Sequence, residues 1–236
     1  MSKKVLIGVI VADVDEFNPF VKAAKRYNAQ EYTLLGKKGI TFDINGATVI
    51  SINCGIGKVN AAAVASALAL LNCDAILNFG LSGGISGASR GGLCVPNKFL
   101  EHDFDLTVLG YKPCEKPNQK YIYEVNSKLL EIFKQVANTE FTGTAVCGDR
   151  FICSKKDSDF FRDNFSATTC DMETAAIASV CDMADVPFAA LRRISDDAGD
   201  SASESYTEMN ISGELYLPNI FLNILSKVAD LYGGKA

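Results

Sequence analysis

Three acidic segments of this chain stand at the boundaries of expected elements. Glu16 follows the run Val5 to Ala12. Asp171-Met172-Glu173 opens a stretch with helical spacing. Ser195-Asp196 follows the run Val186 to Ile194. If the runs are strands of one sheet, all three lie along its carboxyl edge, where open α/β sheets bind ligands. Carboxyl groups gathered there suit general acid and base work. Each has a plainer reading as well. Glu16 can be a solvated first-turn residue favouring the helix dipole. Asp171 can be an N-cap with Glu173 just inside, and Ser195-Asp196 can cap a turn.

Other chemistries are disfavoured. Gly55-Ile56-Gly57-Lys58-Val59-Asn60-Ala61 approaches a dinucleotide fingerprint but lacks its last glycine, and no phosphate-loop motif occurs. Gly80-Leu81-Ser82-Gly83-Gly84 has the G-x-S-x-G spacing, but no helical pattern follows it as a nucleophile elbow requires, so a Ser hydrolase is disfavoured. There are eight cysteines but no C-x-x-C pair, and His102 is the one histidine. No metal and no cofactor are therefore expected. Cysteines in apolar segments read as buried, reduced thiols, which points to a reducing compartment, the cytoplasm.

The elements that must position the acids follow from pattern. Val5 to Ala12 reads as a buried strand and Glu16 to Tyr27 as a helix presenting Phe17, Phe20, Val21 and Ala24. Ile40 to Ile44 and Thr48 to Asn53 flank Asn45-Gly46, a hairpin signal. Lys58 to Leu71 is an Ala-rich helix. Asp74 to Phe79 is a buried strand ending at a loop, Gly80-Leu81-Ser82-Gly83-Gly84. Gly92 to Leu109 holds strands, and Lys112 to Gln119 is a loop. Asn126 to Asn138 is an amphipathic helix, Thr142 to Ile152 a strand, Asp171 to Ala184 a helix of small residues and Leu215 to Tyr232 the closing helix. Strands alternating with helices predict an α/β fold, a single three-layer α/β/α domain around a mixed, mostly parallel sheet.

At 236 residues, with 48% hydrophobic and 22% charged, the chain can bury a sizeable core. The net charge is −5 and the basic residues are scattered, so no nucleic-acid partner is expected. Ser2-Lys3-Lys4 before the first apolar run resembles a leader, but the run ends in Asp13, Asp15 and Glu16, as a first strand would. No apolar stretch is long enough to span a bilayer, and no membrane partner is expected.

Five motifs occur in order: Gly55-Ile56-Gly57-Lys58-Val59-Asn60-Ala61-Ala62, Asn78-Phe79-Gly80 with Gly83-Gly84, Gly148-Asp149-Arg150-Phe151-Ile152, Asp171-Met172-Glu173 and Arg192-Arg193-Ile194-Ser195-Asp196. Together they resemble the purine nucleoside phosphorylase and uridine phosphorylase superfamily, and within it the nucleosidases of 5′-methylthioadenosine and S-adenosylhomocysteine. The resemblance runs from about Val5 to Tyr232. It implies hydrolysis of an N-glycosidic bond, with a small-molecule nucleoside as partner. Asp196, after Ser195, is then the acid that protonates purine N7, which requires a raised pKa. The sugar becomes oxocarbenium-like, and nearby carboxylates stabilise it. By the same resemblance Glu173 holds the ribose hydroxyls, Glu16 positions water, and Arg192 orders both. Phe151 stacks on the base and the Ile152 backbone reads its edge. The 5′ group is held by Ile56, Leu106, Leu109, Tyr111, Pro117, Met172 and Tyr206. The family also implies a homodimer in which Tyr111 and Pro117 reach a neighbour's site.

Departures from the pattern are Asp171 for the usual Glu, Leu81 for a common Ser in a position counted with the substrate site, Asp13 for a Met, and Arg150 for a small or polar residue. Phosphorolysis on this fold uses two arginines. Here the first loop, Ala12 to Glu16, is acidic, and Gly80 to Gly84 carries no Arg. Arg90 reads as a turn-flanking surface residue. A phosphate dianion would be repelled, so water is the expected nucleophile. The alternatives are a phosphorylase or other purine nucleosidase on the same fold, or a nucleoside-binding protein without catalysis.

Overall fold

A computed structural model describes residues 4–211 and 215–233; Ser2 and Lys3 lie outside them. The elements in chain order are β1 (Leu6–Val11), α1 (Val14–Ala24), β2 (Gln30–Leu34), β3 (Lys37–Ile44), β4 (Ala47–Asn53), α2 (Lys58–Leu70), β5 (Ala75–Gly84), β6 (Leu93–Cys94) and β7 (Lys98–Glu101). There follow β8 (Ile122–Glu124), α3 (Ser127–Ala137), β9 (Thr144–Cys147), α4 (Lys155–Phe165), β10 (Ala167–Asp171), α5 (Thr174–Met183), β11 (Phe188–Asp196), α6 (Ala202–Ile211) and α7 (Tyr216–Gly233).

The strands form one mixed sheet in the order β2-β3-β4-β1-β5-β10-β9-β7-β8, with β11 against β5 and β6. Parallel pairings join β4, β1, β5 and β11 at the centre, while the β2–β3–β4 meander and the β7–β8 pair are antiparallel. Helices cover both faces. Phe17 and Phe20 of α1, Phe133 of α3 and Phe221 of α7 pack on one side with Val9 and Leu77. Val64 and Leu68 of α2 and Ile177 and Cys181 of α5 pack on the other with Ile10 and Ile76. A strand covered on both faces has no polar side to show, which is why β1 reads as an unbroken apolar run. Asn45 and Gly46 both take left-handed backbone angles, φ 46° and 80°, as the tight turn between β3 and β4 requires. Asn126 caps α3, and Asn138 ends it in the left-handed conformation. Among the described residues no helix is long and apolar enough to cross a membrane.

Several expectations are corrected. Gly80 to Gly84 is not a loop: β5 runs on to Gly84, because β11 and β10 supply pairing partners there despite the poor strand propensity of glycine. Asp171 is the last residue of β10, and α5 starts only at Thr174. Ser195-Asp196 end the last strong strand, β11, as expected. The strand at Thr142 to Ile152 is only Thr144–Cys147. The polar helix α4 and the helix α6 have no counterpart in the apolar pattern, since neither presents a long apolar stripe.

Candidate active site

The sheet splits at β5. On one side of this strand β1 pairs only as far as Asn78, and β10 joins antiparallel from Gly83. Between them the Leu81 N–H donates to Glu16 Oε1 at 2.6 Å. A cavity opens at this split. It is lined by Asp13 and Glu16 beyond β1, Leu81 and Ser82 of β5, Cys170 to Glu173, Phe151 and Ile152, and Arg192, Ser195 and Asp196 of β11. Ile56, Arg150 and Tyr206 complete the wall. The three acidic segments therefore meet in one place.

Glycine permits the close approach. A Cβ on Gly80 would stand 2.7 Å from an Arg192 guanidinium nitrogen and 2.9 Å from Glu16 Oε2. The guanidinium also donates to Asn78 Oδ1, and its Nε lies 3.4 Å from Asp171 Oδ2. Asn78 in turn donates to Ile10 O at 2.8 Å. Asn78 is thus the anchor of the arginine. It drew attention in the sequence only as part of a motif, although a buried amide in an apolar strand is itself a signal that it holds something.

Asp171 performs a local task. Its Oδ1 accepts the Glu173 and Thr174 N–H groups at 2.9 and 2.8 Å, and its Oδ2 accepts the Thr174 hydroxyl at 2.6 Å. It caps α5 from the end of a strand, and the shorter Asp suits that geometry. Glu173 is left free to turn into the cavity, where its Oε1 accepts the Gly57 N–H at 2.8 Å.

Asp196 is aimed by a bulge. The register with β5 shifts between Ile194 and Asp196, so Ser195 is the extra residue. An extra residue reverses which face the next side chain takes. Ser195 Oγ donates to Asp196 Oδ2 at 2.6 Å, and the Ala198 N–H donates to Asp196 Oδ1 at 2.9 Å. Burial raises the Asp196 pKa above the usual carboxylate range, with the Ser195 and Ala198 hydrogen bonds opposing. Desolvation also pushes Glu16 up to about 8, against its bond from Leu81 and the Arg192 charge. Glu173 is pushed up to about 7, first by burial and then by the Asp171 charge. Carboxyls such as Glu16 and Glu173, which can hold or release protons near neutrality, are what acid–base chemistry needs.

The outer wall differs from expectation. Ile56, Leu81, Met172, Phe151, Ile152 and Tyr206 line the cavity, and the Leu81 backbone N–H is engaged by Glu16. Leu106, Leu109, Tyr111 and Pro117 do not line it. Their segment follows β7 and is held by Lys116 on Glu101 and by Cys114 buried beneath it, leaving Leu109 and Tyr111 exposed to solvent. Asp13 lines the cavity, with Oδ2 accepting the Tyr206 hydroxyl at 3.0 Å and Oδ1 accepting the Asp15 N–H at 2.9 Å. The Tyr206 ring meets that of Phe151 edge-on at 5.6 Å. Arg150 pairs with Asp157 at 3.0 Å. Arg90 is no idle surface residue: it donates to Ser195 O at 3.1 Å and to Ser205 O and Glu208 at 2.8 and 2.9 Å, tying α6 to the end of β11.

Residues 6–218 match the family model described as Phosphorylase superfamily. The chain is 33% identical over 193 residues to a 5′-methylthioadenosine/S-adenosylhomocysteine nucleosidase of Geobacillus sp. (strain WCH70), covering 78% of this chain and 83% of that one. Two Helicobacter pylori structures share the fold. One is a point mutant of a nucleosidase with 5′-methylthioadenosine in its active site, with TM-score 0.89, 23% identity and coverage of 95% and 99% of the two chains. The other is futalosine hydrolase, with TM-score 0.87, 24% identity and coverage of 94% and 98%.

Proposed function

The chain belongs to the Phosphorylase superfamily, and from that premise we propose that its cavity hydrolyses the N-glycosidic bond of an adenine nucleoside such as 5′-methylthioadenosine or S-adenosylhomocysteine. The protein is an N-glycosyl hydrolase, as its relatives are named. Asp196 delivers a proton to purine N7, which turns a poor leaving group into a good one. Positive charge then develops on the sugar between Glu16 and Glu173. Glu173 accepts from the ribose hydroxyls, and Glu16, beside Arg192, holds the attacking water. Phe151 stacks on the base.

The observation that carries water over phosphate is the charge of the wall facing the sugar. Asp13 and Glu16 line it, and the Arg192 guanidinium is engaged with Asn78 and Asp171. Among the described residues, a phosphate dianion would meet the acids Asp13 and Glu16 and no free cation at that wall, with repulsion growing as Glu16 gives up its proton. At the 5′ end Asp13 has both oxygens engaged, so Ile56, Met172 and the Tyr206 ring set the preference. A panel of nucleosides, incubated with and without phosphate, tests both points. Adenine and the free sugar are expected in phosphate-free buffer. Methylthioadenosine is expected to exceed adenosine in kcat/KM by roughly ten- to two-hundredfold. Strict phosphate dependence with a sugar 1-phosphate product would instead make the enzyme a phosphorylase. A ratio near one would assign it broader purine specificity.

The working form is a homodimer. Val108 and Leu109 are 91% and 68% exposed on the segment after β7, and Ile56 and Val59 are 53% and 80% exposed at the start of α2. Lys58 bridges the two segments through Glu101 and Asp103. Neighbouring exposed apolar side chains are a reason for association, and the same segment of a second copy would cover the mouth beside Ile56. Light scattering is expected to give twice the chain mass, and a fully active monomer would overturn the assignment. The eight free cysteines, all but Cys153 buried, suit the reducing cytoplasm. Detection of the protein in an oxidising compartment with paired cysteines would contradict that placement.

A further inference from the structure

Gly57 precedes α2 and has no side chain with which to cap it. The first helical amide is served from another part of the chain: the Lys58 N–H donates to Asp149 Oδ1 at 2.7 Å, from the loop between β9 and α4. The Asp149 N–H donates to Asp103 Oδ2 at 3.0 Å. Lys58 Nζ donates to Asp103 Oδ1 at 2.6 Å and to Glu101 Oε2 at 3.0 Å. The loop packs flush at this point, since a Cβ on Gly148 would stand 2.5 Å from the His102 ring. Three segments are thus tied together one residue away from the amide that serves Glu173.

The tie bears on that amide directly. Gly57 has φ 99°, a conformation that favours glycine, and a Cβ there would stand 3.0 Å from Asp149 Oδ1. The Asp149 carboxylate therefore rests against Gly57 itself. It also places negative charge at the positive end of α2, where the helix dipole favours it. Asp149 is exposed, and a core-packing role does not account for it.

We propose that Asp149 and Lys58 are positioning residues for Glu173: they hold the start of α2 so that the Gly57 N–H stays on the Glu173 carboxylate. The kinetic consequence rests on Glu173 binding the ribose, whereas the electrostatic one does not. The Gly57 hydrogen bond lowers the Glu173 pKa against the burial that raises it. The other groups that face Glu173 are Asp171, Arg192, Glu16, the Met172 backbone and the Cys54 and Cys147 thiols. An Asp149 substitution removes none of them.

The test uses the full chain with 13C-labelled glutamate carboxyls, the Glu173 resonance being assigned by its loss in Glu173→Gln. In Asp149→Ala the Glu173 midpoint is expected to rise above that of the wild type. KM for the nucleoside should rise by about tenfold with a smaller change in kcat, and this cost should vanish in the Glu173→Gln background. Asp149→Asn keeps an acceptor for the Lys58 N–H and should restore both readings. Lys58→Met, which breaks the bridge without touching the cap, should move the midpoint in the same direction and covers the case in which Asp149→Ala does not fold. An unmoved Glu173 midpoint, or a cost that is equal with and without Glu173, overturns the proposal. If the wild type releases no base from any nucleoside, the hydrolase reading falls, and the titration still decides this one.

Discussion

Asp196→Asn is expected to lower kcat on an adenine nucleoside at least about a hundredfold while leaving the fold intact. The amide is the same size as the acid. Its oxygen can still accept from the Ala198 N–H, which now donates to Asp196 Oδ1 at 2.9 Å. What it cannot do is give up a proton to N7. The departing base must then leave as an anion. A substrate whose leaving group needs no protonation separates this role from a general loss of fit: a 4-nitrophenyl riboside should be cleaved by the variant at close to the wild-type rate. Measured kcat on both substrates decides the matter. Near wild-type turnover of the adenine nucleoside would remove Asp196 from proton transfer, and equal losses on both would make its role one of binding.

Glu16→Gln is expected to cost a similar factor in kcat and, in the opposite direction, to stabilise the protein above neutral pH. Gln keeps the acceptor for the Leu81 N–H but can neither orient water as a base nor face the sugar with negative charge. The pH dependence follows from the Glu16 pKa of about 8 in the fold against 4.5 in the open chain. Stability that comes from the neutral form is complete below 4.5 and is lost as pH rises through 8. In the wild type, activity that needs charged Glu16 should climb towards pH 8, and that limb should be missing in the variant. Thermal unfolding should show the variant more stable at about pH 8, by on the order of a few kcal/mol, and no different near about pH 4. Equal melting temperatures at both pH values would mean that Glu16 is not strained in its site. Undiminished turnover would mean that another group directs the water.

Which residues could carry the chemistry was legible in the sequence, because that depends on residue type and on short-range pattern. Glu16 and Asp196 each stand next to an apolar run, and runs buried on both faces advertise themselves by lacking a polar side, whereas Glu173 follows β10, whose two threonines hide the strand. Asn45-Gly46 specified its hairpin for a similarly local reason, since both residues accept left-handed angles. The family pattern extended this to roles, through motifs that are themselves short.

The tertiary structure decided how those residues meet. No local signal says that β5 continues through Gly80 to Gly84, because the groups that pair it there belong to β10 and β11, about ninety or more residues further along the chain. None says that Ser195 is a bulge, which exists only relative to β5 and turns Asp196 into the cavity. Asp171 and Glu173, alike as acids in the sequence, part company because one caps α5 and the other accepts from Gly57. Asp13, an acid in an apolar 5′ wall by sequence, is engaged by Tyr206 from a helix with no apolar stripe to announce it. The segment from Leu106 to Pro117 keeps its apolar side chains off its own cavity because the Glu101 ion pairs hold it outside. In each case the deciding partner is remote in sequence. Desolvation, which raises the pKa values of Glu16, Glu173 and Asp196, likewise depends on the whole surrounding fold.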